Sequence, residues 1–147
     1  MPDLLRHAEA TWSGDLRSGS GTASTESGAL RDVKMAFASR FESESGSNPE
    51  ELLAAAHAAC FSMALSANLG RQGITPKQIR TRATVTLHKG ESGFKITKVH
   101  LETEGEVPGI DQATFAEVAE RTKQTCPVSV LLLPGLEEAT VSARLVS

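Results

Sequence analysis

The chain has 147 residues but no tyrosine, one tryptophan and only five phenylalanines. So few rings leave little to build the stacking platforms on which single-stranded nucleic acid lies. Positive charge is not in surplus either. Fifteen Lys and Arg face 18 Asp and Glu, giving a net charge of −3 with no basic run, which argues against a nucleic-acid partner. A long hydrophobic run is also missing. The longest mostly apolar stretch, Leu52 to Leu65, is interrupted by His57 and Ser62 and follows Glu50 and Glu51. It falls short of the roughly 20 apolar residues that span a bilayer. The start, MPDLLRHAEATW, has neither the apolar core nor the cleavage site of a signal peptide, so a cytoplasmic protein without a membrane partner is expected. Cysteine is scarce, with Cys60 and Cys126 alone and no Cys-x-x-Cys. In a reducing compartment such a pair is either two inert thiols or a redox couple. Phosphate loop, dinucleotide fingerprint and Gly-x-Ser-x-Gly elbow are absent. The histidines, His7, His57, His88 and His100, lack metal-ligand spacing, so no metal is expected.

What is present is a clear alternation of strand and helix patterns. HAEATWSG alternates, SGDLRSGSG is a hairpin tip and TASTES is its return strand. VKMAFASRF alternates again and predicts a strand ending near Arg40. Asn48 or Ser47 can then cap a helix, with Pro49 in its first turn, Glu50 and Glu51 at its positive end and Gly70 as its stop. That helix is apolar on two sides. One stripe is Leu53, Ala56, Cys60, Met63 and Ala67, the other Ala54, Ala58, Phe61, Leu65 and Leu69, so the helix should lie buried between other elements. IRTRATVTLH and FKITKVHLETE read as a hairpin around KGESG. A second helix follows, capped by Asp111, with Phe115, Val118, Ala119 and Thr122 inward and Cys126 one turn on. Pro127 ends it and can start a short third helix with Cys126 as N-cap. EEATVSARLV is a last strand with Ala139, Val141, Ala143 and Leu145 inward. The order predicts one α+β domain over residues 1–147, with antiparallel sheets and a long central buried helix.

The chemistry can reside only in the thiols. Burial among alanines raises a thiol pKa, and the thiolate is the nucleophile, so a reactive Cys60 needs a cation close by. His57, one turn earlier, is one candidate, although a histidine among alanines is more often a packing residue. Arg40 is the other, unless it merely pairs with Glu42 or Glu44 at the surface. Cys126, at a helix junction, has unpaired backbone N–H groups within reach, or else simply closes the second helix.

NPEELLAAAHAACFSMAL together with CPVSVLL resembles the OsmC/Ohr family of cysteine-based peroxidases, and TASTESGAL and FASRFE resemble its OsmC-like branch. The likeness runs from about Trp12 to Leu145. It implies a catalytic set in which Cys60 attacks the peroxide, Cys126 resolves the intermediate as a Cys60–Cys126 disulfide, Arg40 activates the thiol and Glu50 orients Arg40. It implies an intertwined homodimer with its sites at the interface, and no metal, flavin or haem. It also implies peroxide substrates, organic hydroperoxides and hydrogen peroxide both being open, and an external dithiol reductant such as a dihydrolipoyl protein. The apolar residues Phe37, Phe61, Met63 and Leu131 would favour organic hydroperoxides. The other readings are a binding protein or a redox sensor on the same dimeric fold. Glu50 and Cys60 are ten residues apart, about 15 Å along a straight helix. Two such helices packed antiparallel about a two-fold axis would bring one subunit's Glu50 towards the other's Cys60. Arg40 and Glu50 are therefore expected to act on the partner's Cys60.

Overall fold

Alternating side chains and glycine turns build the first part of the chain. In the structure, a computed structural model describing residues 1–146, β1 (Ala8–Ser13), β2 (Ser20–Thr25) and β3 (Val33–Met35) form an antiparallel sheet in that order. The hairpin tip between β1 and β2 is closed by Asp15, whose carboxylate accepts from the Ser18 N–H and hydroxyl. Ser18 holds that carboxyl below the usual range.

The strand expected through Phe37 and Arg40 stops at Met35. Residues Phe37–Phe41 are instead a short helix, α1. The deciding residue is Ser39. Its Oγ accepts from the Ala36 N–H and donates to the carbonyls of Ala36 and Ser47, which turns the chain at the helix start. Phe37 and Phe41, four apart, then pack with tilted rings, their centroids 4.9 Å apart. The same letters satisfy a period of two or of nearly four, and a local serine chooses between them.

The long helix α2 (Pro49–Gly70) begins as its sequence predicts, with the Glu51 N–H donating to Asn48 Oδ1 at 2.7 Å. Past its end, Gly73 takes the left-handed turn, with φ +74°. The described residues cluster into two compact units, and the division, at Leu52/Leu53, falls within α2. Beyond it, β4 (Gln78–Gly90) and β5 (Gly93–Glu106) pair antiparallel around a two-residue turn. Helices α3 (Gln112–Thr125) and α4 (Pro127–Leu132), then one 3₁₀ turn, return the chain to β6 (Glu138–Val146). This crossover brings β6 alongside β5 in parallel, where a purely antiparallel sheet was expected.

The core of the second unit forms where α2 and α3 lie on this sheet. Phe61, Leu65 and Leu69 of α2 meet Val99, Leu101, Val107, Phe115, Val118 and Ala119. Each large side chain so buried contributes about 1.5–3 kcal/mol. Gly105 is chosen by contact, since a Cβ there would sit 2.5 Å from Phe115 Cζ. Polar rungs set the position of α2: Ser62 donates to Thr81, which bonds Thr103, and Asn68 donates to Thr122. Of the two apolar stripes on α2, the chain itself buries the one bearing Phe61, Leu65 and Leu69. The other stays open, with Ala56, Met63 and Ala67 exposed. By length and composition α2 could cross a bilayer, a property it shares with core helices of soluble proteins.

Candidate active site

The four residues expected to carry the chemistry fall into two pairs, one in each unit. In the first unit, α1 presents Arg40 and the first turn of α2 presents Glu50. Arg40 Nε and Nη2 both donate to Glu50 Oε1, at 3.2 and 2.8 Å. The guanidinium also lies over the Phe41 ring, 5.1 Å from its centroid. Glu50 is buried to 9% exposure while Arg40 keeps 37%, so a nearly buried carboxylate grips a half-open cation. Glu42 and Glu44, the simpler partners, are not the ones used. Arg40 lines a cleft of about 570 Å³ with Trp12, Leu16, Met35, Phe37 and Phe41. Of the apolar lining expected from sequence, only Phe37 is in this cleft. Phe61 is in the core, and Met63 and Leu131 are exposed.

In the second unit, Pro127 determines where Cys126 sits. A residue before proline avoids the helical region, and Cys126 adopts φ −57°, ψ 125°. It thus closes α3, its N–H donating to the Thr122 carbonyl, and opens α4, its carbonyl accepting from Val130. Its side chain follows the inner stripe of α3 and is wholly buried. There its Sγ meets Cys60 Sγ at 3.2 Å, with both thiols free. Cys60 itself is only half-buried. Burial pushes its thiol up, the Val128 N–H at its sulfur works to lower it, and the neighbouring Cys126 raises it further. The thiol is a poor nucleophile until something stabilises its anion.

His57 does not supply that charge. It is 1% exposed, and burial pushes its pKa down, which keeps the ring neutral at pH 7. Its Nε2 is 2.7 Å from Ser129 Oγ, while its Nδ1 is buried without a partner. The expectation of a satisfied packing histidine holds for one nitrogen only. Ser129 was not singled out from sequence, yet a signal was there. His57-Ala-Ala-Cys60 and Cys126-Pro-Val-Ser129 share one spacing, so two helices facing each other through their cysteines also face each other through His57 and Ser129. Among the described residues no three His, Cys, Asp or Glu side chains gather as a metal site.

Comparison with known proteins gives this arrangement a family. The model of the family described as OsmC-like protein matches residues 42–137. The chain is 53% identical over 129 residues to the peroxiredoxin OsmC of Escherichia coli K12, covering 88% of this chain and 90% of that one. It is 33% identical over 85 residues to an organic hydroperoxide resistance protein of Xanthomonas axonopodis pv. citri, covering 57% of this chain and 58% of the other. Among solved structures, the organic hydroperoxide resistance protein OhrB of Bacillus subtilis superposes with a TM-score of 0.69 at 29% identity, covering 95% of this chain and 98% of its own. An OsmC-like protein of Mycoplasma pneumoniae shares the fold at a TM-score of 0.75 and 18% identity, covering 99% of this chain and all of the other. Two thiols in contact and an arginine gripped by a glutamate thus sit on a shared sequence and a shared fold, and the chain belongs to the OsmC family.

Proposed function

We propose that this thiol-dependent peroxidase reduces organic hydroperoxides through a Cys60 sulfenic acid and a Cys60–Cys126 disulfide. The observation that carries the reading is the pair of free thiols 3.2 Å apart. Their unequal burial supports giving the attack to Cys60 and the resolution to Cys126. Half-buried Cys60 can meet a peroxide, and buried Cys126 can meet only Cys60. The Cys60 thiolate attacks the distal peroxide oxygen, the O–O bond breaks, and the alkoxide leaves as the alcohol with the proton the thiol gave up, giving Cys60–SOH. Cys126 then attacks the Cys60 sulfur. The S–S bond forms, the S–O bond breaks, and the hydroxyl departs with the thiol proton as water. An external dithiol, for which a dihydrolipoyl protein is suitable, reduces the disulfide by exchange.

The raised Cys60 thiol requires a cation, and Arg40 is the candidate. Its guanidinium is held by Glu50 in a planar hydrogen-bonding geometry, suited to a thiolate and to the oxygens of a peroxide. The apolar cleft beside Arg40 supports an organic substrate over hydrogen peroxide. The open stripe of Ala56, Met63 and Ala67 on α2 supports a homodimer, each single-domain subunit covering the other's helix. In that dimer Arg40 and Glu50 serve the partner's Cys60. Two free thiols suit a cytoplasmic setting.

The test is thiol titration after one equivalent of cumene hydroperoxide. Both thiols of each chain should disappear rapidly, and Cys60→Ser should abolish the reaction. Cys126→Ser should stop at a sulfenic acid on Cys60. Loss no faster than that of free cysteine would overturn the reading. Arg40→Ala should slow the first step roughly tenfold or more. A mixed dimer of Arg40→Ala and Cys60→Ser chains should regain one site working at the wild-type rate, whereas activity confined to each chain would leave only the slow rate of Arg40→Ala.

A further inference from the structure

Two side-chain rungs join α2 to the segment that bears Cys126, beside the Val128 N–H at the Cys60 sulfur. One is the thiol pair. The other is His57 Nε2 with Ser129 Oγ at 2.7 Å. His57 lies three residues before Cys60 and Ser129 three residues after Cys126, so the rungs are neighbours, just under one helical turn apart. The remaining polar rungs of α2 go elsewhere, Ser62 to β4 and Asn68 to α3. Helix α4 has only six residues, and it starts at the bend that Pro127 imposes. A helix this short has little interface of its own to hold its place.

The imidazole at position 57 comes with a penalty. His57 Nδ1 is buried with no partner, and an apolar side chain of similar size would leave no orphaned nitrogen. Since burial keeps the ring neutral, what it offers over leucine is the hydrogen bond to Ser129. That bond spans the two elements whose separation sets the distance between the sulfurs. A disulfide needs about 2.05 Å between them, so the thiols, now 3.2 Å apart, must close by only about 1 Å.

We infer that the His57–Ser129 hydrogen bond is a register pin that keeps Cys126 within reach of oxidised Cys60, making both His57 and Ser129 positioning residues of the resolving step. The inference rests on the peroxidase cycle proposed above. Its consequence lies in a competition. Cys60–SOH either loses its oxygen to water as Cys126 forms the disulfide, or meets a second peroxide, which oxidises it to the sulfinic acid and leaves as alcohol. A loosened α4 slows the first fate and leaves the second untouched. The pin therefore sets how much peroxide the protein withstands.

Rapid-quench mass spectrometry on the full-length protein resolves sulfenic acid, disulfide and sulfinic acid in one experiment. Ser129→Ala should form the sulfenic acid at the wild-type rate but the disulfide roughly tenfold more slowly. Sulfinic acid should then build up at peroxide concentrations the wild type survives. Ser129→Thr, which keeps the hydroxyl, should restore resolution. Ser62→Ala, which breaks a different rung of α2, should resolve as the wild type does. His57→Leu gives an independent reading if Ser129→Ala does not fold. Unchanged disulfide formation in the folded variants overturns the inference, as does an equal slowing of both steps or a matching defect in Ser62→Ala. A wild type that forms neither sulfenic acid nor disulfide overturns instead the cycle on which the inference depends.

Discussion

His57 shows how much one buried side chain can hold in balance. Its ring is neutral in the fold because burial disfavours the cation, and its pKa lies below the ordinary value of 6.5. In the unfolded chain it titrates at the ordinary value, so below that pH the unfolded state binds the extra proton. Stability is therefore complete above about pH 6.5 and is lost as the pH falls towards the depressed value, by at most about 1.4 kcal/mol per pH unit. Thermal melting between pH 7.5 and 5 should show this slope in the wild type and a shallower one in His57→Gln. Equal slopes would place the acid sensitivity elsewhere. Arg40 illustrates the opposite arrangement, a charge kept in use because Glu50, itself nearly buried, must have a partner.

At the level of elements, α2 and the individual strands β4, β5 and β6 were legible because their patterns are long. Thirteen residues of β4 alternate with hardly a break, and its Ile79, Ala83, Val85 and Leu87 turn inward. The inner stripe of α3, Phe115, Val118, Ala119 and Thr122, is also the one observed. Helix α1 was not legible. Five residues are too few for a period to declare itself, and a hydrogen bond from Ser39 outweighed the alternation. The parallel entry of β6 was hidden too, since an alternating strand reads the same in either direction. Packing between elements is tight at one glycine. Gly105→Ala should cost about 1–3 kcal/mol, because its methyl group would collide with the buried Phe115 ring. Urea denaturation measures the loss. Phe115→Leu added to Gly105→Ala should cost less than the sum of the two single changes, as expected for residues sharing one space. Strict additivity would show that the methyl group is accommodated some other way.

On the scale of the whole molecule, the open stripe of α2 bears on assembly. Ala56, Ala59, Met63 and Ala67 leave a shallow apolar strip on which another helix can come close, with Met63 74% exposed at its centre. Met63→Glu should convert the proposed dimer to a monomer in sedimentation at micromolar concentration. An exposed position tolerates such a change within about 0.5 kcal/mol of monomer stability, so circular dichroism should be preserved. A dimer that survives the substitution would move the interface off this stripe.

The sequence by itself determined the thiols, the long helix with a cap at Ser47 or Asn48, the Cys126–Pro127 bend and the alternating strands. Each of these depends on neighbours within a few residues, through proline sterics, capping and period. Only the tertiary structure decided that Cys126 touches Cys60, that Glu50 rather than Glu42 or Glu44 grips Arg40, and that Ser129 lies under His57. Those contacts join residues up to 72 positions apart. They follow from how helices settle on a sheet, where the burial of a few large side chains outweighs anything local spacing can express.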